Sequence, residues 1–113
     1  MNIFVICPVR NADEAATAEI ARWVSRLEAA GNTVHWPARD TNQEDPIGDR
    51  ICADNRAAIE AADRVALWFD PASQGSLFDI GIAWALRKPV DLLNVVEPTE
   101  KKSFANVLLR WAA

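Results

Sequence analysis

The segment Ser73-Gln74-Gly75-Ser76-Leu77-Phe78-Asp79-Ile80-Gly81 gathers two hydroxyls, a glycine turn and a carboxylate at the hand-over from an apolar strand to a helix. Ser73, Gly75 and Ser76 therefore stand beside a helix N-terminus, a place that attracts phosphates and sugar hydroxyls. Capping is an equal reading for the two serines. Ser76-Leu77-Phe78-Asp79 also resembles a capping box with Asp in the place of Glu or Gln, in which Asp79 would only satisfy the helix terminus and its dipole. Arg10, just past the first apolar run, has the charge and fork geometry for a phosphate or a base edge, against the plainer reading of an exposed loop arginine. Asp70 ends a strand and either reaches a sugar hydroxyl or opens an Asx turn into Pro71, and the turn is favoured.

Other chemistries lack their residues. Two cysteines, Cys7 and Cys52, and one histidine give neither a disulfide framework nor metal-ligand spacing, so the thiols read as buried apolar groups and no metal or cofactor is expected. With no acid partner nearby in sequence, His35 reads as a packed or rim residue. Trp36 and Trp68, at strand positions, read as core, with base stacking as the lesser alternative. The net charge of -4 comes without any basic run, which argues against duplex nucleic acid as a partner.

The length of 113 residues, half hydrophobic and a quarter charged, suits one globular domain over 1–113. A core of that size leaves apolar surface over, and five tryptophans sharpen the expectation of a homo-oligomer. Met1 to Ile6 carries no basic leader, and no apolar run approaches the roughly 20 residues of a membrane span, so a cytoplasmic protein is expected.

These residues must be held by alternating elements. Ile3 to Ile6 is a continuous apolar run, as in a strand buried on both faces, closed by Cys7-Pro8. Ala16, Ile20, Trp23, Val24 and Leu27 recur at helical spacing up to Gly31, a residue suited to a left-handed cap. Thr33 to Trp36 reads as a second strand ended by Pro37, and Ala38 to Asp45 as a loop. Pro46 suits the first turn of a second helix carrying Ile47, Ile51, Ala58 and Ile59. Arg64 to Phe69 is a third strand, Leu77 to Leu86 a third helix, Val90 to Val96 a fourth strand, and Phe104 to Trp111 a last helix. The fold class is α/β: an open three-layer sandwich with a four-stranded parallel sheet, Rossmann or flavodoxin-like. In such sheets ligands bind beyond the carboxyl ends of the strands where strand order reverses, which nominates the loops opening at Cys7 and Asp70.

Gly75, Phe78, Asp79, Ile80 and Gly81 follow a pattern of turn glycine, aromatic, acid, aliphatic and glycine. In this the chain resembles the nucleoside 2-deoxyribosyltransferases, including their deoxynucleoside-monophosphate N-glycosidase branch. Cys7-Pro8-Val9-Arg10, Ala62-Asp63 and Lys88-Pro89-Val90 agree in order and spacing, so the likeness spans nearly the whole chain. The resemblance implies cleavage of the N-glycosidic bond of a deoxynucleoside, with the sugar passed to another base or to water. A carboxylate attacking the anomeric carbon splits a difficult displacement into two easier steps. The family's attacking residue is a Glu, whose position Asp79 fills one methylene shorter, and a displacement of about 1 Å costs about 10²-fold in rate unless the backbone compensates. Where the family commonly has a Tyr in the first strand this chain has Phe4, with Cys7 in place of a Gly. Counting back from Asp63, the family's helical Asp falls on Asn55, with Asp54 adjacent but turned about 100° away.

The resemblance thus yields a catalytic set of Asp79 with Asp54 or Asn55. Its substrate-binding set is Phe4, Cys7, Arg10, Asp70, Ser73, Gly75 and Ser76. Family members complete each pocket from a neighbouring subunit and usually continue further, so either the domain is a shortened version or its last helix, through Ser103 or Asn106, reaches a partner's pocket; a homodimer is expected, as Trp111 on that apolar face suggests. The expected partner is a small nucleoside or nucleotide. The alternative is a non-catalytic nucleotide-binding module, suggested by Phe4, Asn55 and Asp79 together. A phosphoacceptor receiver with Asp70 as acceptor is set aside, since Cys7-Pro8 lacks the acidic pair a magnesium ion requires.

Overall fold

Alternate residues of the first strand face opposite ways, and each side meets a different set of partners. Phe4 and Ile6 pack with Ile59, Ile80, Ala83 and Leu108, while Ile3, Val5 and Cys7 pack with Ile20 and Val24. A strand with period-two geometry can be apolar throughout only if both sheet faces are covered, and here they are. The computed structural model describes residues 1–113. Its strands are β1 (Asn2–Ile6), β2 (Thr33–His35), β3 (Arg64–Leu67) and β4 (Val90–Leu92). Its helices are α1 (Glu14–Ala29), α2 (Pro37–Asp40), α3 (Asp49–Ala61), α4 (Gln74–Ala85) and α5 (Phe104–Ala112). Residues of α1 cover one face, and residues of α3, α4 and α5 cover the other.

The four strands are parallel in the order β2-β1-β3-β4, with Phe4 beside His35 and Val65. The chain moves outward from β1 to β2 and then returns to the far side of β1, so the order reverses between β1 and β3. A crevice forms at such a switch point because the two crossovers leave in opposite directions. The loops after β1 and β3 are those the sequence nominated.

Several boundaries differ from the sequence reading. The stretch after Pro37 expected as a loop contains α2, where Asp40 Oδ2 accepts from the N–H of Trp36 at 2.8 Å and Pro37 starts the turn. The second long helix begins at Asp49 rather than at Pro46, because Gly48 adopts φ 92° and breaks the turn. Asp45 then takes the N–H groups of Ile47, Arg50 and Ile51, so Pro46 lies inside the capping loop. The last strand ends at Leu92 instead of Val96, and β3 at Leu67 instead of Phe69. Beyond them the Asn94 side chain takes over the pairing, accepting from Phe69 N at 2.7 Å and donating to Phe69 O at 2.8 Å. Gly31, at φ 95° after α1, stands as expected of a left-handed cap.

Candidate functional site

Asp79 is placed by α4, whose start is fixed by its serines. Ser73 Oγ accepts from Ser76 N at 3.2 Å and donates to Ser76 Oγ at 2.9 Å. The cap is therefore complete at Ser73 and Ser76, one turn before Asp79, and the capping-box role for Asp79 does not arise. Asp79 is 9% exposed, and its carboxylate has no hydrogen-bond partner in the protein. Trp36 Nε1 is the one buried side-chain polar atom without a partner, so the unpartnered Asp79 oxygens reach solvent. Burial pushes the carboxyl up to about 6. A carboxylate in this condition is ionised at neutral pH yet poorly solvated, as a nucleophile should be.

Both thiols lie within the field of that carboxylate. Cys7, at the end of β1, is pushed up to about 12 by burial first and by the Asp79 charge in addition. The indole N–H of Trp36, buried without a well-aligned partner, is turned toward Cys7 and offsets part of that rise. Cys52, in the first turns of α3, is raised by the same two causes in the same order. The thiols stay protonated and furnish neutral, poorly polar neighbours for Asp79.

One turn on from Cys52, Asn55 is buried at 7% exposure on the inner face of α3. Asp54 faces outward, half exposed and paired with Arg50 at 2.7 Å. The inward-facing position of α3 therefore holds an amide rather than an acid. Asn55 Oδ1 accepts from Thr41 Oγ1 at 2.9 Å, and Thr41 Oγ1 lies 2.8 Å from His35 Nε2. Burial lowers the His35 pKa, which keeps the imidazole neutral at pH 7. Phe4 stacks on that ring with centroids 5.3 Å apart and planes 9° apart. With no exposed surface, Phe4 offers nothing to a ligand directly and acts through His35.

A cleft of about 530 Å³ is lined by Val9, Arg10, Gln43, Asp45, Pro46, Ile47, Gly48 and Ile51, which brings the loop after β1 together with the loop before α3 and the first turn of α3. Its volume suits a nucleoside-sized molecule. Asp79 is not part of its wall; the wall residue Ile51 precedes Cys52, whose thiol feels the Asp79 charge. Asp45 is committed to capping α3, which leaves that helix terminus already supplied with an anion. Arg10, exposed and free of ion pairs, is the cleft's available cation.

The remaining candidates separate. Asp70 Oδ1 accepts from Ala72 N at 2.9 Å, the Asx turn that the sequence favoured. Open space surrounds the position a Cβ on Gly75 would take, so nothing in the chain requires glycine there. Ser103 caps α5, with its Oγ accepting from Asn106 N at 3.1 Å and from Thr99 Oγ1, beyond β4 and apart from the other candidates. Neither Thr41 nor the role of His35 was found from the sequence, because no local spacing relates position 41 to position 55.

The fold and the sequence both have known relatives. The family model for nucleoside 2-deoxyribosyltransferases matches residues 4–108. No curated protein sequence matches significantly. Among solved structures, the CMP N-glycosidase BcmB of Clostridium botulinum aligns with a TM-score of 0.69 and 18% identity, over 99% of this chain and 83% of the other. A 2-deoxyribosyltransferase of Bacillus psychrosaccharolyticus aligns with a TM-score of 0.66 and 19% identity, over 81% of this chain and 71% of the other. At these identities the structures establish the fold, and the family model establishes the lineage.

Proposed function

The chain belongs to the nucleoside 2-deoxyribosyltransferase family, and from that premise we propose that it cleaves the N-glycosidic bond of a deoxynucleoside or deoxynucleotide. The observation that carries this reading is Asp79, a buried carboxylate with free oxygens and a pKa raised to about 6 at the switch point of the sheet. Its Oδ attacks the anomeric carbon, the bond to the base breaks, and the base leaves with the electron pair and takes up a proton from solvent water. The glycosyl ester is then opened by a second base or by water, which returns the free carboxylate. Asn55 cannot supply the proton, having no acid to give, and serves by hydrogen bonding. Cys7 and Cys52 exclude water and lower the local polarity, which strengthens the carboxylate as a nucleophile. The open N–H groups at Gln74 and Gly75, with Ser73, receive the sugar or its phosphate, while Ser76, 1% exposed, serves the helix cap instead of a ligand, and Arg10 meets an anion at the cleft.

Chromatography of free base, after incubation with each deoxynucleoside and each monophosphate, tests this. At least one of the panel is expected to release base. No release from any member, with binding still seen by calorimetry, would replace the enzyme by a non-catalytic binding module. With a monophosphate substrate, Arg10→Ala is expected to raise KM about tenfold while leaving the KM of the matching nucleoside within twofold, as loss of one phosphate contact should. Equal changes for both would remove Arg10 from the phosphate.

We further propose that the protein acts as a cytoplasmic homodimer through α4 and α5. Phe78, Trp84, Phe104 and Val107 are exposed there, and Trp84 meets Trp111 edge to face at 5.3 Å. Large apolar side chains left exposed on two helices joined by that tryptophan contact suit burial against a second copy. Sedimentation is expected to give twice the mass of one chain, and a monomer at micromolar concentration would rule the assembly out.

A further inference from the structure

We propose that His35 and Thr41 are positioning residues that fix the Asn55 amide with its NH2 group toward the site, so that the ligand must bring a hydrogen-bond acceptor to it. The argument is a count of protons. Asn55 Oδ1 can only accept, and Thr41 Oγ1 stands 2.9 Å from it, so the single hydroxyl proton of Thr41 is given to Asn55. Thr41 then has only lone pairs left for His35 Nε2 at 2.8 Å, so the imidazole must carry its proton on Nε2. Donation thus runs one way, from His35 to Thr41 to Asn55. The ring of His35 is held in its plane by Phe4, stacked within 9° of parallel.

The far end of the chain of donors is Asn55 Nδ2. It has no partner in the protein, and Trp36 Nε1 is the one buried side-chain atom so left, so Nδ2 opens to solvent. It does so from the inner face of α3, the face that also carries Cys52, whose thiol the Asp79 charge reaches. An unconstrained amide can turn over and offer oxygen or nitrogen at similar cost. Tied at Oδ1, this one offers two N–H groups, which suit a base carbonyl, a ring nitrogen or a sugar oxygen and disfavour an exocyclic amine. This specificity rests on the proposed nucleoside reading of the site, whereas the hydrogen-bond relay itself does not.

The two can be tested apart. His35 is the only histidine, so the imidazole nitrogen spectrum of the full chain contains one residue's signals. In the free protein at pH 8, proton-coupled 15N spectra are expected to show the proton on Nε2, and in Thr41→Val that preference is expected to fade toward the mixture of a free imidazole. A proton on Nδ1 in the wild type would reverse the relay and overturn the proposal, whatever the protein does to nucleosides. On the tightest-binding member of the nucleoside panel, Thr41→Val should raise Kd about tenfold, and Thr41→Ser, which keeps the hydroxyl, should stay within about threefold of wild type. If Ser behaves like Val although both variants fold, by circular dichroism, the methyl group rather than the hydroxyl matters and the positioning role is refuted.

Discussion

Asp79→Asn is expected to reduce base release by 10³-fold or more while leaving substrate affinity within a few-fold of wild type. The substitution keeps the side chain's shape and removes only the charge, so the covalent step loses its electron pair while the walls of the site stay in place. Removing the group that forms the bond in a covalent mechanism costs at the upper end of what single substitutions cost, because the other residues act only through it. The same variant carries an independent readout in stability. The native carboxyl titrates near 6, above the ordinary carboxylate value of about 4, so the native state binds the proton more readily than the unfolded chain between those values. Stability contributed by the protonated form is full below about pH 4 and is lost as pH rises through 6. Asn has no such penalty. At pH 7.5 the variant should therefore unfold at higher denaturant, by roughly 2–3 kcal/mol at 1.36 kcal/mol per pKa unit, while at pH 4 the two proteins should be nearly equal. A variant that is inactive but no more stable at pH 7.5 would mean that the carboxylate is not held in the desolvated state that makes it a nucleophile.

The pH dependence of kcat/KM is expected to follow the same group with the opposite sense. Attack requires the ionised carboxylate, so the rate should fall about tenfold per pH unit below 6 and level off above about 7. A neutral deoxynucleoside is the proper substrate for this measurement, since the second ionisation of a phosphate monoester also lies near 6. Burial is the cause of the shift, and an exposed Asp would instead place the midpoint near 4. A flat profile between pH 4 and 7 would exclude Asp79 as the nucleophile, and a midpoint near 4 would mean that its site is wetter than the fold indicates. The thiols, Cys7 buried and Cys52 partly exposed, do not complicate the acid limb, for both are raised and remain protonated throughout it.

How far the sequence reached is clearest at particular residues. The unbroken apolar run of β1 implied a strand covered on both faces, and helical spacing from Ala16 to Leu27 gave α1, because burial periodicity is written locally along the chain. The alternation of strands and helices then fixed a parallel sheet, since right-handed crossovers leave few other ways to bury both kinds of element. The motif around Asp79 pointed to the family, and the switch point between β1 and β3 followed from the topology. Boundaries were less legible where a side chain replaced the backbone: Asp45 capping α3 from outside and Asn94 extending the edge of the sheet are contacts that no periodicity records. The choice between Asp54 and Asn55 also needed the packed structure. The sequence placed both on one helix 100° apart, but only docking of α3 against α4 decided which of them turned inward. Likewise, Asp79 is an ordinary acid in the sequence, and its raised pKa arises from burial in the packed fold. The relay from His35 through Thr41 to Asn55 joins three segments distant along the chain, so it exists only once the sheet and α3 have closed around it. Local pattern determined the elements and their order; desolvation and hydrogen-bond direction, which depend on neighbours distant along the chain, were decided by the tertiary structure alone.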